Sequence, residues 1–112
     1  MSQQTIQRKQ LLTAVLGDRN VTSADVREIR LDPGQQSGRH VHPCAVLGYI
    51  VAGTAVYQVE GETEQVLSAG SAFYEAADTI IANFGNASDT ETLTFVAFYL
   101  LDGEQDLIRM LS

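Results

Sequence analysis

Residues 34–53 read GQQSGRHVHPCAVLGYIVAG, and the reading of this stretch decides the fold. At its centre His40-Val41-His42 holds both histidines of the chain, just after Pro33-Gly34 and just before Pro43. In an extended strand, residues two apart share a face and stand roughly 6.6 Å apart along the backbone. Two imidazoles so placed converge on one point. Neutral imidazole is the commonest protein ligand for a transition metal and titrates near neutral pH, so the pair marks a metal or proton-handling site. The plainer alternative is a pair of surface histidines beside a proline turn. On the C-terminal side, Val46 to Val51 is β-branched and aromatic and is closed by Ala52-Gly53, a strand with its stop.

The pattern continues in both directions. Upstream, Val21 to Leu31 sets Arg27, Ile29 and Leu31 on one parity against Val26, Glu28 and Arg30 on the other. This reads as a half-buried strand near a sheet edge, ended by Asp32-Pro33-Gly34. Downstream, Thr54 to Glu60 alternates and meets a hairpin signal at Gly61. Further strands are expected near Glu64 to Leu67, Ala72 to Tyr74 and Thr79 to Phe84, with a loop from Glu75 to Asp78 and a turn at Gly85-Asn86. Thr92 to Leu101 is uncharged and apolar on both parities, which means burial of both faces or else an aggregation hazard. Met1 to Gln4 reads as a frayed end. Ile6, Leu11, Leu12, Val15 and Leu16 fit a short strand pair or one helical face, and Leu107 to Leu111 fits a helical turn or a docked strand. Many short strands punctuated by glycine, with almost no persistent helical period, indicate an all-β sandwich or barrel.

Composition narrows the function. At 112 residues the chain is read as a single domain, residues 1–112, with a core that needs no staples. A net charge of −7 opposes binding to phosphate backbones, so nucleic acid is not an expected partner. The apolar run Leu11 to Leu16 is broken by Thr13 and too short for a signal-peptide core, and no segment approaches a bilayer span. No membrane partner is expected. The single cysteine, Cys44, suits a reducing compartment, and a cytoplasmic location is expected.

Over roughly Asp25 to Leu101 the chain resembles the cupin superfamily, and the resemblance implies a small antiparallel jelly-roll β-barrel. The first cupin motif runs glycine, five residues, His-x-His, three or four residues, glutamate, six residues, glycine. Gly34, His40, His42 and Gly53 fall on that spacing, with Val46 where the family has glutamate. In the second motif Gly70 and Asn86 match, while Ala76, Asp78 and Ile81 replace the proline, the glycine and the histidine. In metal-binding cupins those two strand histidines, the glutamate and the third histidine ligate the ion. Only His40 and His42 carry over.

Two protein ligands rarely hold a first-row metal, so weakened binding of any divalent transition metal is expected, with Val46 and Ile81 lining the spot in apolar surface. Two residues could compensate, and the first is Glu75. Turned into the barrel, it would complete the two-histidine, one-carboxylate set of non-haem iron sites; otherwise it is a solvated loop carboxylate. Cys44 is a soft ligand or nucleophile if ionised and an apolar filler if not. The expected pocket is lined by Val46, Ile81, Cys44 and Tyr57. If both histidines point inward, desolvation and mutual repulsion should leave at least one titrating below its ordinary value.

Three functions fit these residues. The preferred one is a cupin that binds a small organic molecule beside the histidine pair. The second is a metal-dependent oxygenase or isomerase using His40, His42 and Glu75 on iron, manganese, nickel or zinc. The third is a non-catalytic assembly unit with a vestigial pocket. Apolar β surface in excess of what the barrel covers leads to an expected homodimer.

Overall fold

Strand propensity and punctuation dictate nine strands, and a computed structural model of the protein describes residues 5–111 in that form. They are β1 (Ser23–Leu31), β2 (His40–Val41), β3 (Ala45–Ala52), β4 (Thr54–Val59), β5 (Gln65–Ser68), β6 (Ala72–Glu75), β7 (Ile80–Asn86), β8 (Leu93–Leu101) and β9 (Arg109–Met110). They form two antiparallel sheets, one ordered β1-β8-β3-β6 and the other β5-β4-β7-β2-β9. This is the expected jelly roll. Among the described residues no helix is long and apolar enough to cross a membrane.

Period-two alternation places the core. In β1, Ile29 and Leu31 point between the sheets while Val26 and Arg30 point out, as the parity requires. Ile50, Ile81, Leu93 and Cys44 are fully buried between the sheets. Within the interior Tyr57, Phe73, Phe84 and Phe95 form a ring cluster with neighbouring centroids 4.7 to 6.1 Å apart, the range for tilted aromatic pairs. Gly48 makes this possible. It pairs with Phe73 across β3 and β6, and a Cβ at Gly48 would fall inside the Phe73 ring.

Several local expectations are corrected. Gly85-Asn86 is not a turn but the end of β7, where Asn86 is buried. Its amide donates to the carbonyls of Leu31, Asp32 and Glu91, and its oxygen accepts from the Ser88 amide. A buried amide with this many backbone partners ties β1 and the β7–β8 loop to one point. The segment 5–22 forms neither a strand pair nor a helix; Ile6 and Val15 are 71% and 83% exposed. The first strand begins at Ser23 rather than Val21. The C-terminal segment is a docked strand, with His40 pairing Met110 and Val41 pairing Arg109. The expectation for Met1 to Gln4 lies outside the described residues.

Candidate metal centre

The histidine strand β2 is only two residues long, held between β7 and β9. His40 lies directly opposite Ile81 on β7, and His42 follows one residue beyond the strand. Both rings turn inward and meet edge to face, their centroids 4.9 Å apart and their planes at 81°. Glu75 comes from the other sheet. It is the last residue of the edge strand β6, paired with Val46 on β3, which pairs in turn with Tyr99 on β8. Glu75, Val46 and Tyr99 thus form one inward-facing row, and the position where the first motif has glutamate is next to the glutamate this chain has. Glu75 is 4% exposed, which excludes the solvated loop carboxylate.

One ligand atom from each of His40, His42 and Glu75 lies within 4.8 Å of the others, and all three residues are buried. Hydrogen bonding fixes what those atoms present. The Nδ1–H of His42 donates to the Leu107 carbonyl at 2.6 Å, and the Nδ1–H of His40 donates to the Gly38 carbonyl at 2.9 Å. A carbonyl can only accept, so each ring carries its proton on Nδ1 and, when neutral, directs a bare Nε2 lone pair inward. This is the arrangement by which outer carbonyls orient metal-ligating histidines. Gly38 adopts φ +82°, a conformation open to glycine that turns its carbonyl back onto the His40 ring.

The consequence appears at Glu75. His42 Nε2 stands 2.9 Å from Glu75 Oε2, yet that oxygen is buried without a hydrogen-bond partner. With a neutral ring, two acceptors face each other at contact distance. Only a cation between or on them relieves the repulsion. The titration directions agree. Burial pushes His42 down, but the Glu75 carboxylate and then the Leu107 carbonyl outweigh it, and His42 is held above its ordinary value. His40 is held below, chiefly by burial, with the Gly38 carbonyl and Glu75 opposing and His42 reinforcing the drop. In this state a proton on His42 supplies the cation.

Beside the triad lies a cavity of about 140 Å³, walled by Phe73, Phe84, Phe95, Ile29 and Leu31, with Ile108 of the C-terminal segment at its exposed side. Of the residues expected to line it, Val46 does. Ile81 and Cys44 do not, because both are packed wholly within the core. Tyr57 faces a separate depression with Glu62 and Thr79, which shares only Phe73 and Glu75 with the first. Burial raises the Cys44 thiol above its usual range, leaving it a protonated filler. Burial, and then the charge of Glu75, also raises the Tyr57 phenol.

Three participants were not singled out from sequence. Tyr99 lines the cavity 5.8 Å from His42, ring centre to ring centre, its phenol kept protonated by burial and by Glu75. Leu107 orients His42 through its backbone, a contact across 65 residues that leaves no local signal. Asp78, where the second motif has glycine, takes φ 64°, and its amide donates to the His42 carbonyl at 2.8 Å. The signal for a left-handed position there was the motif glycine itself.

Residues 27–99 match the Cupin domain family. The chain belongs to the cupin family. Solved cupin relatives share the fold at low identity. A chain from crystals of DMSP lyases superposes with a TM-score of 0.69 at 21% identity, covering 81% of this cupin and 45% of that chain. A cupin-like protein from Thermotoga maritima gives a TM-score of 0.69 at 19% identity, covering 79% and 64%. A cupin domain from Bordetella pertussis gives 0.58 at 24% identity, covering 74% and 91%. This cupin therefore spans less than two thirds of the first two chains. No curated protein matches its sequence significantly.

Proposed function

We propose that this cupin holds one first-row divalent metal ion on His40 Nε2, His42 Nε2 and the Glu75 carboxylate, and binds a small organic molecule in the adjoining cavity. The observation that supports it is the buried Glu75 Oε2, 2.9 Å from His42 Nε2 and without a hydrogen-bond partner while that ring is neutral. A bound ion satisfies both atoms. The carboxylate expected on β3 is supplied by the neighbouring strand β6, opposite Val46, so the site lacks only the third imidazole, at Ile81. When bound, such an ion supplies Lewis-acid polarisation of a ligand oxygen or sulfur. The chain's own residues orient it: Leu107 and Gly38 fix the rings, the Tyr99 ring stands at the cavity wall, and the phenylalanines exclude water.

Calorimetric titration of protein purified without an affinity tag tests this reading. Stoichiometric binding of zinc or manganese, lost in Glu75→Gln, is the expected result. Binding that survives Glu75→Gln, or none in either, contradicts it. Two imidazoles and one carboxylate are also the ligand set of non-haem iron oxygenases, which favours metal-dependent catalysis as the second reading. A vestigial pocket fits less well, because the buried triad opposes stability and nothing in a vestigial role offsets that.

We propose also that the protein self-associates through the outer face of the β1-β8-β3-β6 sheet. Register places Val26, Phe98, Leu47 and Tyr74 in one apolar row across all four strands, with Val26 and Phe98 exposed. Leu11 and Leu12 of the N-terminal segment lie by part of this face. A second copy would cover the rest. A monomer in sedimentation at micromolar concentration contradicts the proposal.

A further inference from the structure

The cavity beside the triad restricts the ligand by size and by charge. A closed apolar cavity of about 150 Å³ admits benzene, so about 140 Å³ leaves room for one ring or a branched chain of about six to eight heavy atoms. Ordinary drug-sized pockets run from about 300 Å³ upward, so no sugar, nucleotide or large cofactor fits wholly inside, and a larger ligand would have to project past Ile108. Charge is the second restriction. Glu75 is the only acidic residue lining the cavity, and among the described residues no lysine or arginine lines it. Arg27, the cation felt by Tyr99, is exposed and paired with Asp25 at 2.9 Å.

We infer that this cavity selects compact monoanions: one anionic oxygen or sulfur donor on an apolar body of ring size, with no second charge. The inference rests on the triad proposed above and deepens it. A divalent ion with one carboxylate and two neutral imidazoles has a net charge of +1. A ligand with one negative donor at the ion neutralises the site, whereas any second charge would enter a wall of Phe73, Phe84, Phe95, Leu31 and Ile29 unpaired, which is strongly opposed. Betaines, dicarboxylates and phosphate monoesters are excluded, and short carboxylates, phenolates and thiolates are admitted.

Two ligands of the same shape isolate the charge rule: 3,3-dimethylbutanoate, and glycine betaine, in which the quaternary carbon is an ammonium nitrogen that has no proton to lose and cannot ligate zinc. Zinc is titrated first, by calorimetry, into the untagged protein. Zinc-loaded protein is then titrated with each compound, and metal-free protein is followed by thermal shift with benzene. The expected results are at least about tenfold tighter binding of 3,3-dimethylbutanoate than of glycine betaine, and stabilisation by benzene without metal. Ala97→Ile, at the cavity wall, should abolish carboxylate binding while zinc affinity stays within about twofold. Equal binding of the two compounds by zinc-loaded protein, or carboxylate binding that survives in a folded Ala97→Ile, overturns the inference alone. Failure of zinc to bind in the first titration overturns the triad and the charge rule with it, whatever benzene does.

Discussion

Two adjoining regions of the barrel interior, which share a cavity wall, are built on opposite terms. At one, Tyr57, Phe73, Phe84 and Phe95 pack ring against ring, with Gly48 omitting a side chain so that Phe73 can lie flat. At the other, three ionisable groups crowd within 4.8 Å and one carboxylate oxygen has no hydrogen bond. The first arrangement lowers the free energy of folding. The second raises it unless a cation is present. A fold that carries both indicates that its aromatic region sustains the strain of its polar region, and departures from local consistency of this kind gather at functional sites.

Cutting into the aromatic region should therefore hurt stability most and leave the triad's chemistry alone. Phe84→Ala is expected to lose about 3 to 5 kcal/mol in denaturant unfolding, with unchanged metal stoichiometry in the folded fraction. A change in stoichiometry would mean that the two regions are not separable. In the polar region the sharpest gain comes from Ile81→His, which adds an imidazole directly beside His40. Metal affinity should rise by about a hundredfold or more in calorimetry. Val46→Glu, by contrast, sets a second carboxylate opposite Glu75, and like charges in a cross-strand pair repel. Restoring the whole motif is thus a poorer design than adding the histidine alone, and Val46→Glu should be the less stable variant without metal.

The strands were legible because alternation, β-branching and glycine stops are local. The histidine pair was legible for the same reason. What local pattern cannot provide is depth and register. Ile81, Cys44 and Tyr57 have the parity of interior residues, but parity does not say whether an interior residue reaches the cavity or is sealed beneath it. Glu75 was ambiguous because β6 is four residues long and its direction depends on pairing with Val46 in a strand 29 positions earlier. The segment 5–22 misled for the opposite reason. Its leucines and valines imply burial, and within one chain most remain exposed. Conserved spacing of a motif can also survive the loss of its residue: Asp78 keeps the left-handed turn that the family's glycine would make.

A smaller test reverses the sign of a familiar expectation. At a pH high enough for His42 to be neutral, Glu75→Leu removes the orphaned oxygen and should stabilise the metal-free protein by about 1 to 3 kcal/mol while abolishing metal binding. Destabilisation would show that the carboxylate is better satisfied than its surroundings indicate. The smallest effect is in the pH dependence of the metal-free protein. His42, raised in the folded state, stabilises below the unfolded value of about 6.5, and that contribution is lost as pH rises through its folded value. His40, lowered in the folded state, stabilises above about 6.5, and its contribution is lost as pH falls through that value toward the folded one. The two slopes oppose, so their combined contribution should peak near pH 6.5. In Glu75→Leu the high-pH slope should vanish and the low-pH slope remain. Denaturant midpoints across that pH range, in the presence of a chelator, decide the matter.

The central claim is that Glu75, reaching across from the facing sheet, completes a metal site begun by His40 and His42. Elemental analysis of untagged protein, after dialysis against each divalent first-row metal in turn and removal of the excess, tests it most directly. The account predicts close to one equivalent of metal per chain with at least one of them, falling to background in Glu75→Gln. Background metal in the natural protein under every loading, or one equivalent retained by Glu75→Gln, would contradict it.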